Sequence, residues 1–366
     1  MLGGALGAPF GLGFLGAPIA AIELPAERAF SLGSYDVKNS SIMLWIAGLI
    51  LVFLAWKGTR KIRSGSPEAD VPTGLQNFLE VIVEFFINLA ESAAGGRHGR
   101  RFLPLVISIF LVVVMANWIS VLPGVGTIGW VETAEEFAEH REEAIHEAEE
   151  SGGKADFKDP DLVVFSGGGS FKWIPFGRTS QDAIPLASLE VEADGHGLEL
   201  ARPGLLDEDF DEAIRTDIES HELDLAEDVG ILVPYLRGAN TDVNTTLAIA
   251  LVAMVTVQIW GFRSLGFRGY GGKFINIRQG PIFFAVGLLE IIGELARTVS
   301  FTFRLFGNMF AGEVLLVAMA FLFPLIGIVP FIGLELFVGV IQAFIFAMLT
   351  LVFGVMATIG HGEEEH

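Results

Sequence analysis

From residue 282 to residue 322 the chain runs through 41 predominantly apolar residues with no Pro and no loop signal. Pro281, just before them, suits the first position of a helix. At ~1.5 Å per residue such a helix is about 60 Å long, roughly twice the hydrocarbon thickness of a bilayer. It cannot stand upright in a membrane. The next apolar run, 326–359, is also too long to do so, and Pro324 and Pro330 mark the turn between them. The two runs predict a long, strongly tilted, antiparallel helical hairpin.

Shorter apolar runs precede the hairpin. Residues 39–56, 102–122 and 244–262 are each about long enough to cross a bilayer. The chain has 366 residues, 52% hydrophobic and only 18% charged, whereas soluble domains are about a quarter charged. This excludes an ordinary soluble enzyme and predicts an all-α polytopic membrane protein of five crossings. Lys57, Arg60, Lys61 and Arg63 follow the first run, Arg97, Arg100 and Arg101 precede the second, and Arg263, Arg268, Lys273 and Arg278 follow the third. Between the first two lies 75–92, apolar but with Asn77, Glu80, Glu84, Asn88 and Glu91 at helical spacing. If this segment crossed, its basic flanks would fall on opposite sides, so it reads as an amphipathic surface helix. All three basic clusters are then cytoplasmic, as is the C-terminus, and the loop around 125–233 is extracellular or periplasmic.

That loop holds the charge imbalance. Residues 131–230 carry 28 of the 44 acids and 7 of the 23 bases, which accounts for the whole net charge of −21. Residues 132–150 and 205–228 read as acidic helical stretches in an insert of α+β or irregular structure. An acidic surface concentrates cations, but the simpler reading is a solvated decoration. His140, His146, His196 and His221 lie in it, and no metal site is expected there. Residues 1–22 hold six Gly, two Pro and no charged side chain. They read as a leader or as an additional weak span. The chain has no Cys, which removes disulfides and thiolate chemistry. No GxxxxGK[ST] or HExxH motif is present, so the chain does not hydrolyse a nucleotide by itself. No cofactor and no nucleic-acid partner are expected.

The hairpin carries the unusual residues. Glu290, Glu294, Arg297, Arg304 and Asn308 fall within about 80° of one another on a helix, a single polar stripe, and Glu313 lies opposite Arg304. Glu335 and Gln342 share a face of the last helix. An Arg in a bilayer costs from about 2.5 to over 10 kcal/mol, and it cannot shed its proton. Arg304 lies too near the middle of its run to reach an interface. A structural ion pair is one reading of the stripe, and an ion path is the other. A stand-alone secondary transporter would also place charges in the membrane, but such proteins commonly show internal repeats and broken helices, and neither is visible. A membrane anchor would leave Arg304 without a purpose.

Arg304-Leu305-Phe306-Gly307-Asn308-Met309 with Phe310-Ala311-Gly312-Glu313 closely resembles the signature of subunit a of F-type (rotary) ATP synthases of bacterial type. Gln342-Ala343-Phe344-Ile345-Phe346 is similar to that family's last-helix motif, and Asp242-Val243-Asn244-Thr245-Thr246, after Pro234-Tyr235-Leu236-Arg237, to the entry of one crossing. Asn117, Leu122 and Pro123 also fit. The resemblance covers about 39–124 and 233–359.

The resemblance implies a stator subunit in the bacterial inner membrane, bound to a ring of c subunits, to b-type peripheral stalk subunits, to lipid and, through the complex, to the catalytic head. It would translocate protons between two offset half-channels and would not itself be an enzyme. Arg304 would face the mid-membrane carboxylate of each c subunit and hold it ionised. Asn308, Glu313, Glu335 and Gln342 match positions of the outer half-channel, and Glu290 and Ser300 positions of the inner one. Many relatives carry His where this chain has Glu335 or Glu313. Two carboxylates on one path compete for charge, so one of them keeps a proton. The implied organisation is 1–38 leader and outer segment, 39–124 first two crossings with the surface helix, 125–233 insert, 234–280 third crossing and basic loop, and 281–366 ion-translocating hairpin and tail. The sequence leaves H⁺ versus Na⁺, the c-ring size and the direction of turnover open.

Overall fold

The computed structural model describes residues 28–32, 35–63, 72–122, 229–274, 281–322 and 328–358, with Ala26, Val125 and short strands at 128–133, 161–164, 172–173, 183–185, 189–191 and 198–200. The chain forms two compact units: 32–121, 238–312 and 334–366 make the first, and 1–31, 122–237 and 313–333 the second.

The first unit is a helical bundle. Helix α1 is Asn39–Gly58, with a further helical turn at Arg60–Arg63. Helix α2 is Leu75–Ala94, α3 is Leu103–Ser120, and α4 is Val243–Phe274. Helix α5 is Pro281–Leu322 and α6 is Ile328–Thr358. Among the described residues four helices are long and apolar enough to cross a membrane: α1, α3, Val243–Phe267 of α4, and α6. These are four of the five expected crossings. The fifth expected crossing, α5, is one continuous helix of 42 residues, as the absence of an internal breaker predicts, but it is not among these four.

In α2 the separation of polar and apolar faces is partial: Phe78, Val81 and Phe85 are exposed along with the polar stripe. Asn77, Glu84 and Asn88 are exposed, while Phe86 and Ala90 are buried against Phe102, Leu103 and Val106 and against Ala347 and Leu351 of α6. A second core joins four helices. Ile109 and Val113 of α3 meet Ala250, Ala253 and Met254 of α4, Phe301, Leu305 and Met309 of α5, and Ala343 and Phe346 of α6. Phe301 packs on Phe346 with ring centroids 4.7 Å apart, and Arg297 lies over the Phe353 ring at 5.1 Å. Gly312 packs on Glu335. These pairs step in opposite directions along α5 and α6, which is the expected antiparallel hairpin. Pro330 is tolerated as the third residue of α6, where the helix needs no intrahelical N–H bond.

The end of α4 departs from expectation. The crossing extends to Phe267, beyond the expected 262, and breaks at Gly266, whose φ of 73° is left-handed. Gly accepts this conformation at no steric cost. Residues 267–274 then fold back. Phe262 stacks on Phe267 at 5.4 Å and meets Tyr270 edge-on at 4.8 Å. A side chain at Gly261 would run into the Tyr270 ring.

The second unit carries strands. Ile128–Thr133 (β3), Asp161–Val164 (β4), Lys172–Trp173 (β5), Ala183–Pro185 (β6) and Val229–Pro234 (β9) form a five-stranded sheet in the order β5-β3-β9-β4-β6, after β1 (Arg28–Leu32) and β2 (Tyr35–Lys38) earlier in the chain. Leu189–Val191 (β7) and Leu198–Leu200 (β8) pair with each other. β3 and β9 run antiparallel from Gly129↔Pro234 to Thr133↔Gly230, so the entry and exit of the insert are paired. The acidic helix expected from 132 does not begin there: Glu132 and Thr133 end β3. The rest of that stretch, the 205–228 stretch, residues 1–22, Pro324 and the four insert histidines lie outside the described residues.

Candidate functional site

The polar stripe of α5 runs along a border. Phe301, Leu305 and Met309 are buried in the core. Ala296, Ser300, Phe303, Gly307 and Ala311 are exposed. The stripe lies between these two faces, and Arg304 and Ser300 stand on its open side.

At its first turns the stripe is internally compensated. Arg297 is paired with the Glu294 carboxylate one turn earlier, and its other terminal nitrogen lies 3.7 Å from Glu290. Arg304 differs. It is half-buried, and among the described residues no ion pair or hydrogen bond is made by its guanidinium. The contact it does make is with the ring of Phe301, 5.8 Å to the centroid. Asn308, one turn on, is half-buried, and so is Gln342 on α6. The neighbours of Gln342, Ala343 and Phe346, are the residues that hold α6 against α5.

Glu335 is 8% exposed. Its carboxylate fills the space where Gly312 has no side chain, so that a Cβ there would overlap both oxygens. This contact joins α5 to α6 and explains a glycine within the helix interior. Glu313 is the next residue along α5 and is half-buried.

A hydrogen-bonded network steadies the bundle near the start of α4. Asp242 caps that helix by accepting from the backbone N–H of Asn244 at 2.9 Å, as an N-cap aspartate should. Its other oxygen accepts from the Ser40 hydroxyl of α1 at 2.7 Å. Asn240 donates to the Asn117 side-chain oxygen at 2.6 Å, and Asn117 donates to the Gly339 carbonyl at 3.2 Å. The Trp118 indole N–H donates to the Leu336 carbonyl at 3.1 Å. Asn117 and Trp118 thus hold α6 at two carbonyls lying between Glu335 and Gln342. Asp242 and Asn117 stand in motifs legible in the sequence, but their partners are not. An Asp immediately before an apolar helical run is an N-cap signal; the amide chain has none.

A third arrangement was not anticipated. Tyr270, in the fold-back after Gly266, donates its hydroxyl to the Gln258 side-chain oxygen at 2.6 Å. Burial, and then Glu294 and Glu290, push the Tyr270 hydroxyl up to about 12, against a smaller opposing effect of Arg297. The phenol therefore stays protonated at any physiological pH. Among the described residues no group of His, Cys, Asp and Glu has the grouping of a metal site.

A polytopic helical protein with an unpaired arginine on a continuous stripe belongs among ion-translocating membrane proteins. Comparison with known proteins is more specific. The family model described as ATP synthase A chain matches residues 41–138 and 223–354. The chain belongs to this family. It is similar to the ATP synthase subunit a of Gloeobacter violaceus, 27% identical over 95% of this chain and 93% of the relative. The subunit a of Moorella thermoacetica is 23% identical over 91% and 95%, and that of Mycobacterium bovis 27% over 88% and 86%. The protein is thus a multi-pass, non-catalytic, proton-translocating subunit of the ATP synthase membrane sector. The family match skips residues 139–222, inside the acidic insert.

Proposed function

We propose that this chain is the stator of a rotary proton path, and that Arg304 is the fixed cation past which the carboxylates of a c-subunit ring move. The observation that carries this reading is the half-buried Arg304 guanidinium without an ion pair among the described residues. A cation that costs several kcal/mol in a membrane needs an anionic partner, and the exposed face beside it carries Ala296, Ser300, Gly307 and Ala311 together with Phe303. Small residues let a neighbouring helix approach closely.

Asn308, Glu313, Glu335 and Gln342 line the outer half-channel in this reading, and Glu290 and Ser300 the inner one. Glu335→Gln should change the pH profile of pumping. The c carboxylate is neutralised by a proton from the outer path, travels nearly a full turn and releases it to the inner path. Arg304 keeps the carboxylate ionised as it passes and blocks a direct leak between the paths. Each charge contributes about 2.3 kcal/mol per 100 mV. The b-type stalk holds the stator against the torque, in a bacterial inner membrane with the insert outside and the C-terminus in the cytoplasm.

The chain has no cysteine, so single-cysteine variants are clean. Gly307→Cys and Ser300→Cys should each form a disulfide with a cysteine placed beside the c-subunit carboxylate, whereas Val52→Cys on α1 should not. Absence of cross-linking at both positions in an assembled complex would remove the rotor from this face.

A further inference from the structure

Helix α1 has one face in the bundle and one left open. Met43, Ala47 and Gly58 are buried, and a side chain at Gly58 would run into Leu79 of α2. On the far side Leu49, Val52, Phe53 and Trp56 are exposed. At spacings of three and four they make one stripe, which continues through Arg60 and Arg63 of the next helical turn. The surface there is concave: a groove of about 520 Å³ is lined among others by Leu49, Val52, Phe53, Trp56, Thr59 and Arg63. Thr59 closes α1, its hydroxyl and its backbone N–H both donating to the Ala55 carbonyl at 2.7 and 2.9 Å. From Leu49 to Thr59 the apolar part is about 15 Å long at ~1.5 Å per residue, half of the roughly 30 Å hydrocarbon core. The groove is therefore one leaflet deep, with a cationic end. Among the described residues no ion pair is made by Arg60 or Arg63, and no Asp or Glu occurs in residues 39–63.

We propose that this groove binds one phospholipid with an anionic headgroup, its acyl chain along Leu49, Val52, Phe53 and Trp56 and its phosphate at Arg60 and Arg63. Three features select this occupant. An acyl chain one leaflet long matches the apolar part. A guanidinium binds a phosphate through paired N–H···O bonds, and each basic side chain at a membrane surface favours anionic lipid. Trp56 stands where the apolar part meets the charged one, the place indole rings take at membrane interfaces. A transmembrane helix of a partner protein would also cover the apolar stripe, but its own apolar surface would leave both guanidinium groups without an anion. The site is independent of the stator reading.

The test uses the assembled complex in phosphatidylcholine bilayers, with any cysteines of the other subunits replaced. The chain itself has no cysteine, so a fluorophore on Ile50→Cys, exposed beside the groove, reports what lies there. A small fraction of phosphatidylglycerol carrying a nitroxide near the acyl terminus should quench it at least about threefold more than phosphatidylcholine carrying the same nitroxide. Arg60→Gln combined with Arg63→Gln should abolish that preference; Lys57 and Lys61 remain, so the orientation of α1 is kept. Val52→Trp, which fills the groove and leaves both charges, should abolish it too. Equal quenching by the two lipids with Arg60, Arg63 and Val52 in place, or an undiminished preference in either variant, would overturn the site. So would a fluorophore that neither lipid quenches, which would put a protein helix in the groove.

Discussion

The end of the Glu335 side chain occupies the space that Gly312 leaves open. A methyl at Gly312 would overlap the Glu335 carboxylate. Gly312→Ala should therefore reduce ATP-driven acidification several-fold in complexes that still assemble. Pairing it with Glu335→Asp, which draws the carboxylate back by one methylene, should restore part of the loss. If Gly312→Ala pumps as wild type, the contact does not matter to transport. Tyr270 makes a second prediction at this scale. With its hydroxyl pushed up to about 12, it should be the last of the three tyrosines to ionise. A tyrosinate absorbance titration of the purified chain should lose its most alkaline step in Tyr270→Phe. The sign is that of an acid whose neutral form is favoured by folding. The stabilisation is intact below the ordinary tyrosine range near pH 10 and fades as pH rises towards 12. The residues of the stripe were legible because a helix repeats every 3.6 residues, so Glu290, Arg297, Arg304 and Asn308 declare their common face. Gly312 was legible only as part of a motif, since nothing local says that a carboxylate from another helix will occupy its missing side chain.

Among the elements, α5 and α6 match the expected 282–322 and 326–359 closely, because long apolar runs bounded by Pro leave little choice. The end of α4 was misplaced because its stop signal is a left-handed Gly266 and not a Pro, and Gly is common throughout this chain. Gly266→Ala should destabilise the fold-back by about 1 kcal/mol, the cost of forcing a Cβ into the left-handed region. Thermal unfolding in detergent would register it, and no change would mean that residues 267–274 do not depend on this turn. The contacts among Asn117, Asn240 and Gly339 could not be read, because they join residues 123 and 222 positions apart and leave no periodicity. They also carry an expectation. Asp242→Ala loses an N-cap together with the Ser40 bond and should lower stability by about 1–2 kcal/mol.

For the whole molecule, the charge map separates a neutral membrane part from an insert that holds the entire net charge. The pairing of β3 with β9 brings the two ends of that insert together, so a long excursion costs the rest of the chain little. Replacing 134–228 by a short turn should leave complex assembly and ATP-driven acidification within about twofold. A complex that fails to assemble would give the insert a structural duty. The insert's strands were not foreseen, because its acidic residues suggest solvated helix more strongly than its short apolar runs suggest sheet. In the proposed mechanism Arg304, unpaired among the described residues, separates two proton paths. The most direct test of this is ATP-driven acidification of inverted vesicles without Na⁺, comparing wild type with Arg304→Ala. Acidification by wild type and its loss in Arg304→Ala, with the complex still assembled, is the predicted result. Undiminished acidification by Arg304→Ala would contradict the account.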